Sequence, residues 1–136
     1  MNPYQSRTQA YQGASVMTAS PEQLVVMLYD GAIRFLRQAE AALEEGAYLH
    51  AHEKLGRCEA ILDELLATLN MEAGELSVRL QSIYLFCKRS LIEARLGREP
   101  SKVADVVVLL ADLREAWAGL AAREQAAPAA PAAPAA

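Results

Sequence analysis

Long apolar runs are missing from this chain, and so is any concentration of positive charge. Its longest apolar stretches, such as Val106 to Ala111, fall far short of the roughly 18 residues a membrane span needs. No signal peptide is apparent, so a soluble, cytoplasmic chain is expected. Thirteen basic residues face seventeen acidic ones, for a net charge of −4, and they are scattered. Aromatic residues make up 6% of the chain. Without a basic patch interleaved with aromatics, nucleic acid is excluded as a natural partner.

Cysteine is nearly absent. Cys58 and Cys87 are the two present, and each falls on the apolar stripe of a predicted helix. They read as small core residues in a reducing compartment rather than as a disulfide. Glu-x-x-His does not occur, and His50 and His52 are two residues apart, facing different ways on a helix. No metal site, glycine-rich phosphate loop, G-x-S-x-G elbow or Cys/His nucleophile is recognisable, so no cofactor and no enzymatic activity are expected. Strand signals are also lacking: there is no Asn-Gly or Asp-Gly turn and no sustained alternation.

What is present is helical punctuation. Ser20 is a favoured N-cap, Pro21 suits the first helical position, and Gln23 completes a capping box. The first helix is predicted from Pro21 to Glu45, stopped by Gly46. The second spans Tyr48 to Asn70 and is broken by Glu72-Ala73-Gly74. The third spans Glu75 to Leu96, ending at Gly97, and the fourth runs from Pro100 and Ser101 to Arg123. Short links between helices of this length predict an all-α, antiparallel four-helix up-down bundle over residues 18–124. Residues 1–17 carry one charge, Arg7, and read as a flexible arm with a short helix near Arg7 to Gln12. Residues 125–136, with proline at every third position from Pro128, read as an extended, disordered Ala/Pro tail.

Helical periodicity separates inner from outer faces. The second helix has one stripe, through Ala51, Leu55, Cys58, Leu62, Leu65 and Leu69. The third has two. Leu76, Leu80, Ile83, Tyr84, Cys87, Leu91 and Ala94 form the core stripe, while Val78, Leu85 and Ile92 recur on the far side, extended by Leu96. In the first helix, Val26, Tyr29 and Ile33 flank the main stripe of Leu24, Leu28, Ala32, Phe35, Ala39 and Leu43. The fourth turns Val103, Val107, Leu110, Leu113, Trp117 and Leu120 inward and leaves Val108 off the stripe. One bundle core cannot bury opposite faces of one helix, so the outer rows predict apolar grooves for amphipathic segments of another chain. The chain's own N-terminal arm folded into the groove, a second copy of this chain and scattered surface residues are the alternatives. Gly31, inside a helix at a cost of about 1 kcal/mol, suggests close approach of another backbone.

Four blocks carry a family resemblance. They are Tyr11-x4-Val16-x-Thr18-Ala19-Ser20-Pro21-x2-Leu24, then Met27-Leu28-Tyr29-Asp30-Gly31-Ala32-Ile33-Arg34-Phe35-Leu36, Leu80 to Tyr84, and Arg114-Glu115-Ala116-Trp117. Over residues 4 to about 120 the chain resembles the FliS family of flagellin export chaperones. Phe86-Cys87 departs from the family's usual residues there, and the Ala/Pro tail lies outside its pattern. The resemblance implies a bacterial cytosolic chaperone that binds the disordered C-terminal segment of flagellin. It further implies prevention of premature polymerisation and delivery to the flagellar type III export gate, with an export-gate component as a further partner. It places Tyr11 and Val16 on an arm that covers part of the groove, and Asp30 at a polar contact with arm or client. Together with the apolar rows, the candidate partner-binding residues are Tyr11, Val16, Val26, Tyr29, Asp30, Ile33, Val78, Leu85 and Ile92. A homodimer of the free chain and a self-associating adaptor for another secretion substrate are the competing readings.

Overall fold

The computed structural model describes residues 19–126. The expected arm, its short helix, Tyr11, Val16 and nearly all of the Ala/Pro tail lie outside the described residues. Four helices follow in order: α1 Pro21–Glu45, α2 Tyr48–Ala67, α3 Glu75–Gly97 and α4 Pro100–Ala126, with a 3-10 turn at Met71–Ala73 between α2 and α3. Among the described residues there is no strand.

Local chemistry sets the helix ends. The Ser20 hydroxyl accepts from the Gln23 backbone N–H at 3.1 Å, and the Gln23 side chain accepts from the Ser20 N–H at 2.8 Å. The capping box is therefore complete, as expected. Gly46 closes α1 with φ 78°, a left-handed conformation glycine adopts without a Cβ penalty. Helix α2 stops at Ala67, three residues earlier than predicted. There the Thr68 hydroxyl donates to the Leu65 carbonyl and Asn70 caps the following 3-10 turn through the Glu72 N–H. These short polar side chains offer the backbone partners outside the helix. Helix α3 keeps Gly97 and turns at Arg98, at φ 53° with its guanidinium 4.0 Å from the Tyr48 ring centre. Helix α4 runs three residues beyond its expected end, to Ala126.

Helix α1 packs along both α2 and α4, and α3 closes the square with less extensive contacts to each of those two. The core holds Tyr29, Leu36, Leu55, Leu62, Tyr84, Leu91, Val103 and Leu110, all 0–1% exposed. Cys58 and Cys87 are buried free thiols, and burial raises both pKa values, Cys87 to about 11. No described helix is long and apolar enough to cross a membrane. No group of three or more His, Cys, Asp or Glu among the described residues is placed to hold a metal.

Candidate functional site

The outer row of α3 lies where periodicity put it. Val78, Leu85 and Ile92 are 48%, 49% and 47% exposed, and Leu96 extends the row. Ion pairs flank it. Toward α2, Lys88 meets Asp63 and the Arg95 guanidinium meets Glu59 at 3.0 Å; toward α4, Lys102 meets Glu93 at 2.7 Å. Polar pairs thus seat α3 on its neighbours while large apolar side chains face outward. Phe86, also half-exposed, stands beside Leu85. Its position off the stripe through Tyr84, Cys87 and Leu91 was the sequence signal for this extra surface aromatic.

The row on α1 is different, and here the reading from periodicity needs correction. Tyr29 is fully buried and presents no surface to a partner. Its ring centre lies 6.4 Å from that of Tyr84, and the two hydroxyls share a hydrogen bond at 2.5 Å. Burial, followed by that bond, raises the Tyr29 pKa, while the Trp117 indole opposes the rise. Desolvation dominates at Tyr84 too and raises its pKa. Val26 and Ile33 are half-buried, with Ile33 packed on the core. Because α1 is flanked by both α2 and α4, its buried arc is wider than one stripe. Asp30 is exposed and accepts from the Arg114 Nε at 2.8 Å, tying α1 to α4.

Three of the blocks that carry the family resemblance therefore meet one another: Tyr29 with Tyr84 and Trp117, and Asp30 with Arg114. Helix spacing gave no sign of these pairings, because each spans more than 50 residues of chain.

A cavity of about 1190 Å³ opens at the end of the bundle where α1 begins. Its walls include Leu24, Leu28, Ile61, Leu69, Leu76 and Trp117. Leu76, expected in the core, is instead 62% exposed, because it starts α3 at this open end. Ile83 and Leu113, also expected inside, are half-buried, while Leu120 is 39% exposed. Val106, off the expected α4 stripe, is buried. Gly31 follows Leu28 by one turn. A Cβ there would meet the Ile61 Cδ1 at 3.3 Å, so its close neighbour is a side-chain tip rather than a backbone. Beside Val26 lies a smaller hollow of about 520 Å³ between the start of α1 and α4, with Ala118, Ala121 and Ala122 on its α4 side.

Comparison with known proteins gives a consistent result. A family model described as "Flagellar protein FliS" matches residues 3–124. The chain is 36% identical over 116 residues to the flagellar secretion chaperone FliS of Bacillus subtilis, covering 85% of this chain and 84% of that one. It is 37% identical over 106 residues to the protein of that name from Salmonella typhimurium, covering 76% and 78%. A solved structure described as a flagellar chaperone from bacteria superposes with a TM-score of 0.70 at 24% identity, covering 87% of this chain and 97% of that one.

Proposed function

Because the chain belongs to the FliS family of flagellar secretion chaperones, we propose that it binds the disordered C-terminal segment of flagellin in the bacterial cytosol. In this reading the protein keeps the subunit from polymerising and supports its delivery to the flagellar type III export gate. The supporting observation is apolar surface that the bundle leaves uncovered: the Val78–Leu85–Ile92 row and the end cavity with Leu76 at its rim. A disordered client gains by covering such separated surfaces with short amphipathic helices, since a large wrapped area offsets the entropy lost on ordering. Each Leu, Ile or Val side chain buried in this way contributes about 1.5–3 kcal/mol before that cost. Val78, Leu85 and Ile92 are the proposed main contacts, with Val26 and Ile33 at the margin. The arm bearing Tyr11 and Val16 would act as a weak internal competitor.

Calorimetric titration with a peptide spanning the C-terminal segment of the host's flagellin tests this. Binding with a gain of peptide helicity is expected. Leu85→Glu or Ile92→Glu should weaken it by at least tenfold with the thermal midpoint nearly unchanged. Absence of heat and of helicity change would sink the flagellin reading. Concentration-dependent dimerisation abolished by the same substitutions would instead favour the self-associating adaptor.

A further inference from the structure

The seam between α1 and α2 has a charged stretch partway along its length that the apolar rows do not account for. Three cations surround one half-buried ring: the Arg34 guanidinium lies 5.4 Å from the Phe35 centroid, the Lys54 ammonium 5.6 Å and the Arg57 guanidinium 5.8 Å. They are thus within about 12 Å of one another, comparable with the Debye length of about 8–10 Å in physiological salt, so their repulsion is incompletely screened. Among the described residues, neither Arg34 nor Lys54 has an acidic partner, and Arg57 has Glu53 at 3.8 Å. This concentration of positive charge stands on a chain of net charge −4.

The cluster lies on the same seam as the end cavity. On α1, Leu28 lines the cavity, Gly31 follows three residues on and Phe35 seven. On the antiparallel α2, Ile61 lines it, Arg57 precedes by four residues and Lys54 by seven. Three- and four-residue steps keep these positions on one helix face. Seven residues of helix span about 10 Å, so an apolar pocket and a cationic cage sit about two turns apart along one seam. Between them, the Ile61 side-chain tip packs over Gly31, where a Cβ would lie 3.3 Å from its Cδ1.

We propose that this seam is a two-point dock for an amphipathic helix of the client, an apolar side chain entering the end cavity and an acidic side chain about two turns away binding between Arg34, Lys54 and Arg57 around Phe35. This inference rests on the flagellin reading, and it assigns the acid-binding residues and the orientation of the docked helix. A carboxylate there relieves the mutual repulsion of the three cations. Reversing the helix would carry the acid toward Glu64, which lines the cavity, so the charges select one direction.

The test compares the wild type with the Arg34→Gln/Lys54→Gln/Arg57→Gln variant for binding to the flagellin C-terminal peptide, at low and at high salt. The variant is expected to bind about tenfold more weakly at low salt, and to lose most of the salt dependence shown by the wild type. An Arg57→Glu variant should recover affinity for a peptide whose matching acidic residue is changed to Lys. Equal affinities and equal salt dependence in wild type and triple variant overturn the acid anchor while leaving the flagellin reading standing. A loss that tracks a lowered thermal midpoint and is not rescued by the reversed peptide also overturns it, since the cations would then be structural. Absence of peptide binding by the wild type overturns the flagellin reading and the dock together.

Discussion

Two apolar rows of the same kind meet opposite fates in this molecule. Val26, Tyr29 and Ile33 on α1 and Val78, Leu85 and Ile92 on α3 both exceed what one stripe of a bundle helix needs. The α1 row is drawn inward, with Tyr29 fully buried, while the α3 row stays about half-exposed along its length. The difference lies in the neighbours. Helix α1 is packed closely along both α2 and α4, so side chains well around its circumference reach a partner helix. Helix α3 meets the same two helices less extensively, and ion pairs occupy its flanks. Surplus hydrophobicity is therefore a signal of extra contact, and the packing of each helix decides whether that contact is internal.

The sharpest way to break this contrast is to truncate both rows. Tyr29→Ala should cost about 3–5 kcal/mol of stability, the range for removing a buried aromatic, whereas Leu85→Ala should stay within about 0.5 kcal/mol. Chemical denaturation measures both. Equal losses would mean that α3 packs on something the isolated bundle does not contain. A milder probe is Tyr29→Phe, which leaves the Tyr84 hydroxyl unpaired and should cost about 1–3 kcal/mol. Much of that loss should disappear when Tyr84→Phe is added.

The interior also sets a pH dependence at alkaline pH. Cys87 is raised from 9.0 to about 11 by burial, and Cys58, Tyr29 and Tyr84 are raised as well. A raised pKa means that the folded state holds its proton after the unfolded chain has lost it. The contribution of these groups is then fully present below pH 9 and declines as pH rises toward 11 and beyond. The thermal midpoint should fall over that interval. The fall should be shallower in a Cys58→Ala/Cys87→Ala variant, whatever its stability at neutral pH.

The smallest expected effect belongs to Asp30. Its pair with Arg114 is exposed, so Asp30→Ala should cost about 0.2–1 kcal/mol, and an Arg114→Ala cycle should show that the two losses overlap. A much larger coupling would promote this link from a surface pair to a main fastening between α1 and α4.

The candidate site is partly legible in the sequence. Val78, Leu85 and Ile92 share a face at seven-residue spacing, and helix geometry alone puts that face away from the Leu80–Tyr84–Cys87–Leu91 stripe. Tyr29 was misplaced because periodicity describes a helix against one direction, and α1 is enclosed from two. Leu76 was misplaced because a stripe has no knowledge of where the bundle ends. The cage around Phe35 was invisible for a further reason: Arg34 on α1 and Lys54 and Arg57 on α2 are ordinary surface charges until two antiparallel helices bring them together.

The sequence by itself determined the four helices, most of their ends and the all-α class, because capping, proline and glycine act within a few residues of chain. It also determined which side chains were surplus to a single core. Tertiary structure alone decided which surplus was absorbed, how Tyr29, Tyr84 and Trp117 join three helices, and where an open cavity remained. Those outcomes depend on the distance and angle between helices far apart in the chain, and short-range periodicity carries no information about either.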